Sequence, residues 1–261
     1  MLRSVITIMK RELISYFMSP AAYAVLFMFL LISGYFFYSG MVFYGLASME
    51  ASRMAQYMGR QEIDFASIVL RPLFGNMAVL MLMITPLVTM RLFSEEKKHG
   101  SIELLFTWPV RDISIVLGKF LAALALLFAA IAATGLYLPV AAASVSVPWW
   151  NALTGYIGLF LLAASFASLG LFVSTLTENQ IISAVISFGA LLMFWVIAWG
   201  AGDKTGAFAE TLMYISILEH IENFAKGVLD TRDIVYYVSF IFFFLFLTMR
   251  SLESRMWRRR G

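Results

Sequence analysis

The chain has 261 residues, of which 61% are hydrophobic and only 13% are charged. A soluble domain is about half apolar and about a quarter charged, so this apolar excess cannot be buried in one globular core and lipid must cover part of it. The chain has no cysteine, which excludes disulfides, thiolate metal sites and thiol chemistry. We therefore expect an all-α membrane protein.

Residues 1–19 form the first predicted element, a helix with two different faces. Its polar face carries basic side chains, and its apolar face is made by Leu2, Val5, Ile6, Met9, Leu13, Tyr16 and Phe17. Such an amphipathic helix is suited to lying in the membrane interface, with Pro20 ending it and starting the first span. The alternative is an ordinary basic flank of the first span, but the clean separation of the faces favours the interfacial helix.

Six apolar stretches of residues 20–261 are long enough to cross a hydrocarbon core of about 30 Å, which takes about 20 helical residues. They run over residues 21–44, 73–90, 118–140, 151–173, 181–200 and 234–249. We expect no ionisable side chain inside them, which argues against proton-driven transport and against an ion channel with a charged filter. Two rows of small residues predict close helix packing, mostly within the chain. They are Ala125, Ala129 and Ala133 in the third span, and Ala163, Ala167 and Leu171 in the fourth.

The basic residues predict an orientation. Thirteen of the 19 lysines and arginines lie in the two termini and in the segment between the second and third spans, and the other 6 lie in the segments on the opposite side. Lysine and arginine are enriched on the cytoplasmic side of membrane proteins. Both termini are therefore predicted to be cytoplasmic.

The segment over residues 201–233 predicts an external helix between the fifth and sixth spans. Apolar residues recur in it at helical spacing, and these are Phe208, Leu212, Ile215, Leu218, Ile221 and Phe224. Gly227 is a plausible stop, and Asp230 can cap the last span with Asp233 three residues on. The two histidines, His99 and His220, fall on opposite sides of the membrane, so they cannot share a metal. Each is interpreted as a polar surface residue.

The sequence predicts no catalytic machinery and no cofactor in this chain. Gly118 and Lys119 are followed by Phe120 rather than by serine or threonine, so no P-loop is present. We expect no nucleotide, metal or nucleic acid to bind here.

The most specific stretch covers residues 94–111, between the second and third spans, and reads SEEKKHGSIELLFTWPVR. Gly100 breaks the charged run, Ser101 can cap a short helix from Ile102 to Phe106, and Pro109 ends it. The helix would present apolar side chains, Leu104, Leu105 and Phe106. A short exposed apolar helix between two spans is a docking element, whereas the alternative is a loop lying on lipid.

This segment resembles the coupling-helix motif of bacterial ABC-2 type transporter permeases, in which a Glu-rich turn, Gly-Ser/Thr, Glu-Leu-Leu and Thr-x-Pro-Val follow the second span. The matching positions are Glu95, Glu96, Gly100, Ser101, Glu103, Leu104, Leu105, Thr107 and Pro109. Residues 115–122 resemble the start of the third span in that family. Residues 224–237 resemble the closing segment of a subgroup that includes the gliding-motility permeases and the permease of nitrous oxide reductase maturation. The resemblance covers essentially the whole chain.

The resemblance implies a transmembrane permease subunit in the bacterial cytoplasmic (inner) membrane. A separate cytoplasmic ABC ATPase subunit would bind ATP and Mg²⁺, and its groove would receive the coupling helix. Six spans make half a transporter, so a second permease copy or a homologous permease is expected. In the gliding-motility branch, a membrane protein with a large external domain often accompanies the permease. The alternative function is a non-transporting scaffold that converts ATPase docking into mechanical work on external partners.

Overall fold

The computed structural model describes residues 2–58, 64–100, 111–200 and 206–258. The all-α prediction is confirmed, since every regular element in these ranges is a helix. In chain order these are α1 (Leu2–Met18), α2 (Pro20–Met58), a π-helical turn (Ala66–Leu70) that leads into α3 (Arg71–Thr89), α4 (Arg91–Lys98), α5 (Asp112–Thr134), α6 (Tyr137–Ala142), α7 (Trp149–Ser174), α8 (Gln180–Val196) with a 3₁₀ turn (Ile197–Gly200), α9 (Ala207–Ile215), α10 (Ile217–Ala225) and α11 (Thr231–Arg258).

Six helical stretches within these ranges are long and apolar enough to cross a membrane, as predicted. They are Ala22–Met54, Ala66–Lys98, Asp112–Ala142, Trp149–Ser174, Gln180–Gly200 and Thr231–Ser254. The chain is therefore a multi-pass membrane protein. Several of these helices are longer than the predicted spans, because an apolar run stops at the first charge whereas the helix continues. After a single turn residue, Met90, the second span continues as α4 from Arg91.

The fourth span, α7, is the central helix. In its most apolar stretch 78% of the residues are buried, against 11% for the first span. The predicted row of Ala163, Ala167 and Leu171 is buried, which confirms packing within the chain. The closest approaches use glycines instead: a Cβ added at Gly155 would lie 2.0 Å from the ring of Phe74 on α3.

The row of small residues predicted in the third span is less buried than the row in the fourth span. Ala129 is exposed, and Ala125 and Ala133 are only partly buried. The buried alanines of α5 are Ala122, Ala123 and Ala130 instead. The prediction is wrong for Ala129 because small residues recur so often in this helix that sequence spacing alone does not select the packed face.

The first helix, α1, is separate from the first span, as predicted. A bend at Ser19 follows it, and Pro20 begins α2. The residues of its predicted apolar face differ in burial. Val5 and Tyr16 are buried, Met9 and Leu13 are partly buried, and Leu2, Ile6 and Phe17 are exposed. One edge of the apolar face therefore packs on protein, and the other edge is open. A location in the membrane interface stays a prediction.

The predicted external helix is two short helices. Ser216 is extended between α9 and α10, with φ −70° and ψ 122°. The apolar residues from 212 to 224 recur every three positions, and each such step falls about 60° short of a full helical turn. One straight helix would spread them around its surface. The break at Ser216 turns α10 so that Ile217, Ile221 and Phe224 are buried.

His220 is not a surface residue, which corrects the sequence interpretation. Only 6% of it is exposed. Its Nδ1 lies 2.6 Å from Oδ1 of Asp233, and its Nε2 lies 2.9 Å from the carbonyl oxygen of Tyr214. Asp233 therefore binds α10 to α11, while Asp230 caps α11 by accepting from the backbone N–H of Arg232 at 2.9 Å. The helix stop predicted at Gly227 is present, with φ +87°.

Candidate functional site

The candidate site lies at the end of the bundle where α1, α4, the start of α5 and the last turns of α7 and α11 meet, which we name the basal end. The opposite end, with α9 and α10, is the apical end. Glu95, Glu96 and Gly100 of the predicted docking segment belong to the described residues. The remainder of it, Ser101, Ile102, Glu103, Leu104, Leu105, Phe106, Thr107 and Pro109, lies outside them. The structure therefore shows the two elements that flank this segment, α4 before it and α5 after it.

The predicted break at Gly100 is present. α4 ends at Lys98, and Gly100 has φ +69°, a conformation that side chains other than glycine rarely adopt. The N–H of Gly100 donates to the carbonyl oxygen of Lys97 at 3.1 Å. Helix α4 thus ends in a left-handed turn residue, Gly100, immediately before residues 101–110.

A buried lysine stands at the centre of the basal end. Lys119 on α5 is 1% exposed. Its Nζ lies 3.0 Å from Oε1 of Glu12 on α1 and 2.9 Å from Oε1 of Glu96 on α4, and it donates to the carbonyl oxygen of Leu92 at 2.6 Å. The expectation of no ionisable side chain inside a span is therefore wrong, since Lys119 is the second residue of the predicted third span. A lysine is tolerated there because it is paired and hydrogen-bonded.

Arg11 completes this group of charges, which we name the Lys119 cluster: Arg11, Glu12, Glu96 and Lys119. The guanidinium of Arg11 lies 2.8 Å from Glu12 and 3.0 Å from Glu96. Burial alone would raise the pKa of Glu12, but Lys119 and Arg11 outweigh it and hold that pKa below its ordinary value. The cluster contains two acidic and two basic groups, so its charges balance.

The opposite face of α4 contacts the end of α7, which is itself hydrogen-bonded to α11. The hydroxyl of Ser94 donates to the carbonyl oxygen of Ser174 at 3.1 Å, and Lys97 donates to the carbonyl oxygen of Thr175. Thr175 in turn is hydrogen-bonded to Ser251 on α11 at 2.8 Å. The last carbonyls of a helix have no partner within it, so a lysine and a serine on α4 satisfy the end of α7. α4 is thus held from two sides.

Tyr16 attaches the C-terminal end of α1 to the bundle. Its hydroxyl donates to the carbonyl oxygen of Val88 at 2.7 Å, and the guanidinium carbon of Arg91 lies 4.0 Å from the centre of its ring. Burial raises the pKa of Tyr16 above its ordinary range, so the hydroxyl keeps its proton and remains a donor. This contact lies at the junction of α3 and α4.

The sequence interpretation missed Lys119 and Glu12 as linked residues. A signal for each was present. Lys119 is an isolated charge in an otherwise apolar run, and Glu12 falls on the same face as Val5, Met9 and Tyr16. A carboxylate on the apolar face of one helix and a lysine inside another predict a buried pair. The pairing itself joins residues 107 positions apart and is not readable from spacing.

The described residues include no group of three or more His, Cys, Asp or Glu side chains that could hold a metal ion. The basal end instead contains a groove of about 350 Å³, with acidic and basic groups on its walls, among them Arg11, Glu12, Arg91, Glu95 and His99. The arrangement suits mechanical and docking roles.

These features define a helical, multi-pass membrane protein in which α4, the helix that precedes residues 101–110, is held by α1 and α5 on one face and by α7 on the other. Residues 6–252 match the family described as ABC-2 family transporter protein. The chain belongs to this family, and it is a membrane permease component of an ABC transporter. Comparison with curated proteins gives no match.

Proposed function

We propose that this permease couples ATP hydrolysis by a separate cytoplasmic ATPase subunit to export or to mechanical work across the membrane. The observation that carries the proposal is the anchoring of α4, which leads directly into residues 101–110. Its contacts with α1 and α5 on one face and with α7 on the other leave it little freedom to move alone. A docking segment attached to a rigidly packed helix can transmit a displacement to the spans. A docking segment attached to a flexible linker would move without displacing them.

The docking residues are proposed from the sequence motif. Leu104 and Leu105 are the anchors, because interface energy is concentrated in a few buried side chains worth about 2 kcal/mol or more each. Glu103 adds orientation through charge. ATP and Mg²⁺ belong to the partner subunit, since the sequence has no P-loop. Because basic residues are enriched at the basal end, we propose that this end faces the cytoplasm. The resemblance to bacterial ABC-2 permeases supports the bacterial inner membrane as the location.

The test is the double variant Leu104→Asp with Leu105→Asp. The tagged permease is purified from its native membranes in mild detergent, and the retained ATPase subunit is measured as ATP hydrolysis per mole of permease. Loss of two anchors worth about 2 kcal/mol each predicts a loss of affinity of about a thousandfold. The amount of permease inserted in the membrane should not change.

A matched control uses another pair of adjacent apolar residues outside the long spans. Val228 and Leu229 are exposed at the apical end, between α10 and α11. The variant Val228→Asp with Leu229→Asp adds the same charges and should retain the ATPase subunit fully. If the variant at 104 and 105 also retains the ATPase at native stoichiometry and stimulates it normally, residues 101–110 are not the docking segment.

One feature favours an external partner, and with it the mechanical form of the function. α2 has 39 residues and is about 58 Å long, well beyond the hydrocarbon core. The ring of Tyr44 lies 5.3 Å from that of Phe65, just before α3 begins, so the rest of α2 extends about 20 Å further. Leu46 and Met49 are 62% and 67% exposed on this extension, which lies beyond the first span as predicted over residues 21–44. A membrane protein with a large external domain is the proposed partner.

The second proposed partner in the membrane is another permease, identical or homologous, since six spans make half a transporter. The resemblance of residues 224–237 to the gliding-motility and nitrous-oxide-reductase-maturation permeases supports placing the chain in that subgroup.

A further inference from the structure

We infer that Lys119 is a positioning residue that joins α1, α4 and the first turns of α5 into one rigid unit, so that α1 moves together with the docking segment. The ATPase that would drive this unit rests on the proposed function. The unit itself is a property of this chain and can be measured without the ATPase.

The ammonium group of Lys119 is positioned to bind α1 and α4 at the same time. A lysine ammonium has three N–H donors, and Lys119 has three acceptors within hydrogen-bond distance, at 2.6 Å, 2.9 Å and 3.0 Å. Two of them, the carbonyl oxygen of Leu92 and the carboxylate of Glu96, belong to α4. The third, the carboxylate of Glu12, belongs to α1. A single side chain from α5 therefore holds both other helices.

The residues on both sides of Glu12 also attach α1 to its neighbours. Ile8, Glu12 and Tyr16 follow one another at four-residue intervals and so form one row along the helix. Ile8 packs directly against the α5 backbone at Gly118, which has no side chain. A Cβ added at Gly118 would lie 2.8 Å from the Cβ of Ile8. Tyr16 ends the row on the carbonyl oxygen of Val88. The packing of Ile8 on one side of the charged group and the hydrogen bond of Tyr16 on the other therefore attach α1 at two further points along its length.

Burial makes this link different from an ordinary surface ion pair. Charges in contact with water are screened by salt and their pairs contribute little. The side chain of Lys119 is 1% exposed and those of Glu12 and Glu96 are 15% exposed, whereas Arg11, at the rim, is 52% exposed. Removal of Lys119 leaves the carboxylates of Glu12 and Glu96 with the half-exposed guanidinium of Arg11 as the one cation of the cluster. The cluster then has a net negative charge, and the hold of α5 on α1 and α4 is weakened.

The experiment measures the distance between α1 and α4. Because the chain has no cysteine, two can be introduced for spin labelling, at Thr7 on α1 and Lys98 on α4, both exposed. In the labelled parent protein in lipid nanodiscs, pulsed electron paramagnetic resonance should give one narrow distance. Lys119→Met should broaden the distribution by about twofold or more, since it breaks a buried charge pair. The control Lys10→Met, at an exposed lysine of α1, should leave it narrow.

A second variant guards against general misfolding. Glu12→Gln keeps the pair between Lys119 and Glu96, so α4 stays on α5. α1 loses its charged contact with Lys119 and keeps only the contact of Arg11 with Glu96 at the exposed rim. The distance between positions 7 and 98 should broaden again. A distribution as narrow as that of the parent in both Lys119→Met and Glu12→Gln overturns the inference, because the cluster then does not hold α1.

The assembled complex gives the final comparison. With the ATPase subunit bound, the distance in the labelled parent should be the same without nucleotide and with ATP, because α1 and α4 move together. A shift in that distance on ATP binding overturns the inference even if the ATPase is bound and stimulated. Conversely, a permease that retains no ATPase refutes the proposed function, while the measurement on the permease alone still decides whether the unit exists.

Discussion

Gly155 is the residue at which helix packing in this protein is tightest, and its replacement tests the arrangement around α7. A Cβ at this position would lie 2.0 Å from the ring of Phe74, which is fully buried and packs against Tyr156. Gly155→Ala should therefore destabilise the protein by about 1–3 kcal/mol through overpacking. The measurement is the thermal midpoint in detergent. Gly189→Ala on α8, where no atom lies within 4 Å, is the control and should not lower it. Equal midpoints would show that α3 and α7 are further apart.

The carboxylate of Glu12 predicts how the docking of α1 depends on pH. The pairs with Lys119 and Arg11 hold the pKa of Glu12 below its ordinary value of 4.5. A group whose pKa is lowered by folding stabilises the folded state above its ordinary pKa, and this contribution is lost as pH falls through the lowered pKa. Hydrogen exchange of the α1 amides, corrected for its intrinsic pH dependence, should therefore be constant down to about pH 5 and rise below 4.5. In Glu12→Gln, hydrogen exchange of the α1 amides should already be faster at neutral pH. Its further increase below pH 4.5 should be smaller than in the parent, because Glu12 no longer contributes to it.

At the scale of elements, the sequence predicts helices well and their partners poorly. The two faces of α1, the six apolar runs and the breaks at Pro20, Gly100 and Gly227 are local patterns, and each appears in the structure. Contacts between elements are not local. Nothing in the spacing of α1 assigns Glu12 to Lys119.

The same limit explains the errors at the apical end. Asp233 has the position of a capping-box residue, but its carboxylate binds His220 and Asn223 on another helix. The sequence predicts His220 to be a surface residue because a lone histidine is most often one, whereas the break at Ser216 turns α10 so that His220 is buried. Of the candidate site, residues 101–110 lie outside the described ranges, so the roles assigned to them stay predictions.

The whole molecule has a polarity along the bundle axis. The basal end contains the Lys119 cluster, the anchored α4 and the basic end of α11. The apical end contains the extension of α2 and the pair α9 and α10, which is attached to α11 by His220 and to α3 by the ion pair of Arg71 with Glu222 at 3.2 Å. Helices α5, α7 and α11 link the two ends. Under the proposed function, these helices are the route by which a displacement at the basal end would be transmitted to the apical end.

The orientation of this axis gives the last prediction. Thirteen of the 19 basic residues belong to the segments assigned to the basal side, which the enrichment of lysine and arginine on the inner side places in the cytoplasm. Since the chain has no cysteine, single cysteines can be placed at Arg53 and Lys226 on the apical side and at Ser254 and His99 on the basal side, all at exposed positions. An impermeant thiol reagent should label positions 53 and 226 in intact cells. Positions 254 and 99 should react only after the cells are permeabilised, which also controls for their accessibility. Labelling of position 254 in intact cells would reverse the topology and remove the docking segment from the reach of any cytoplasmic ATPase.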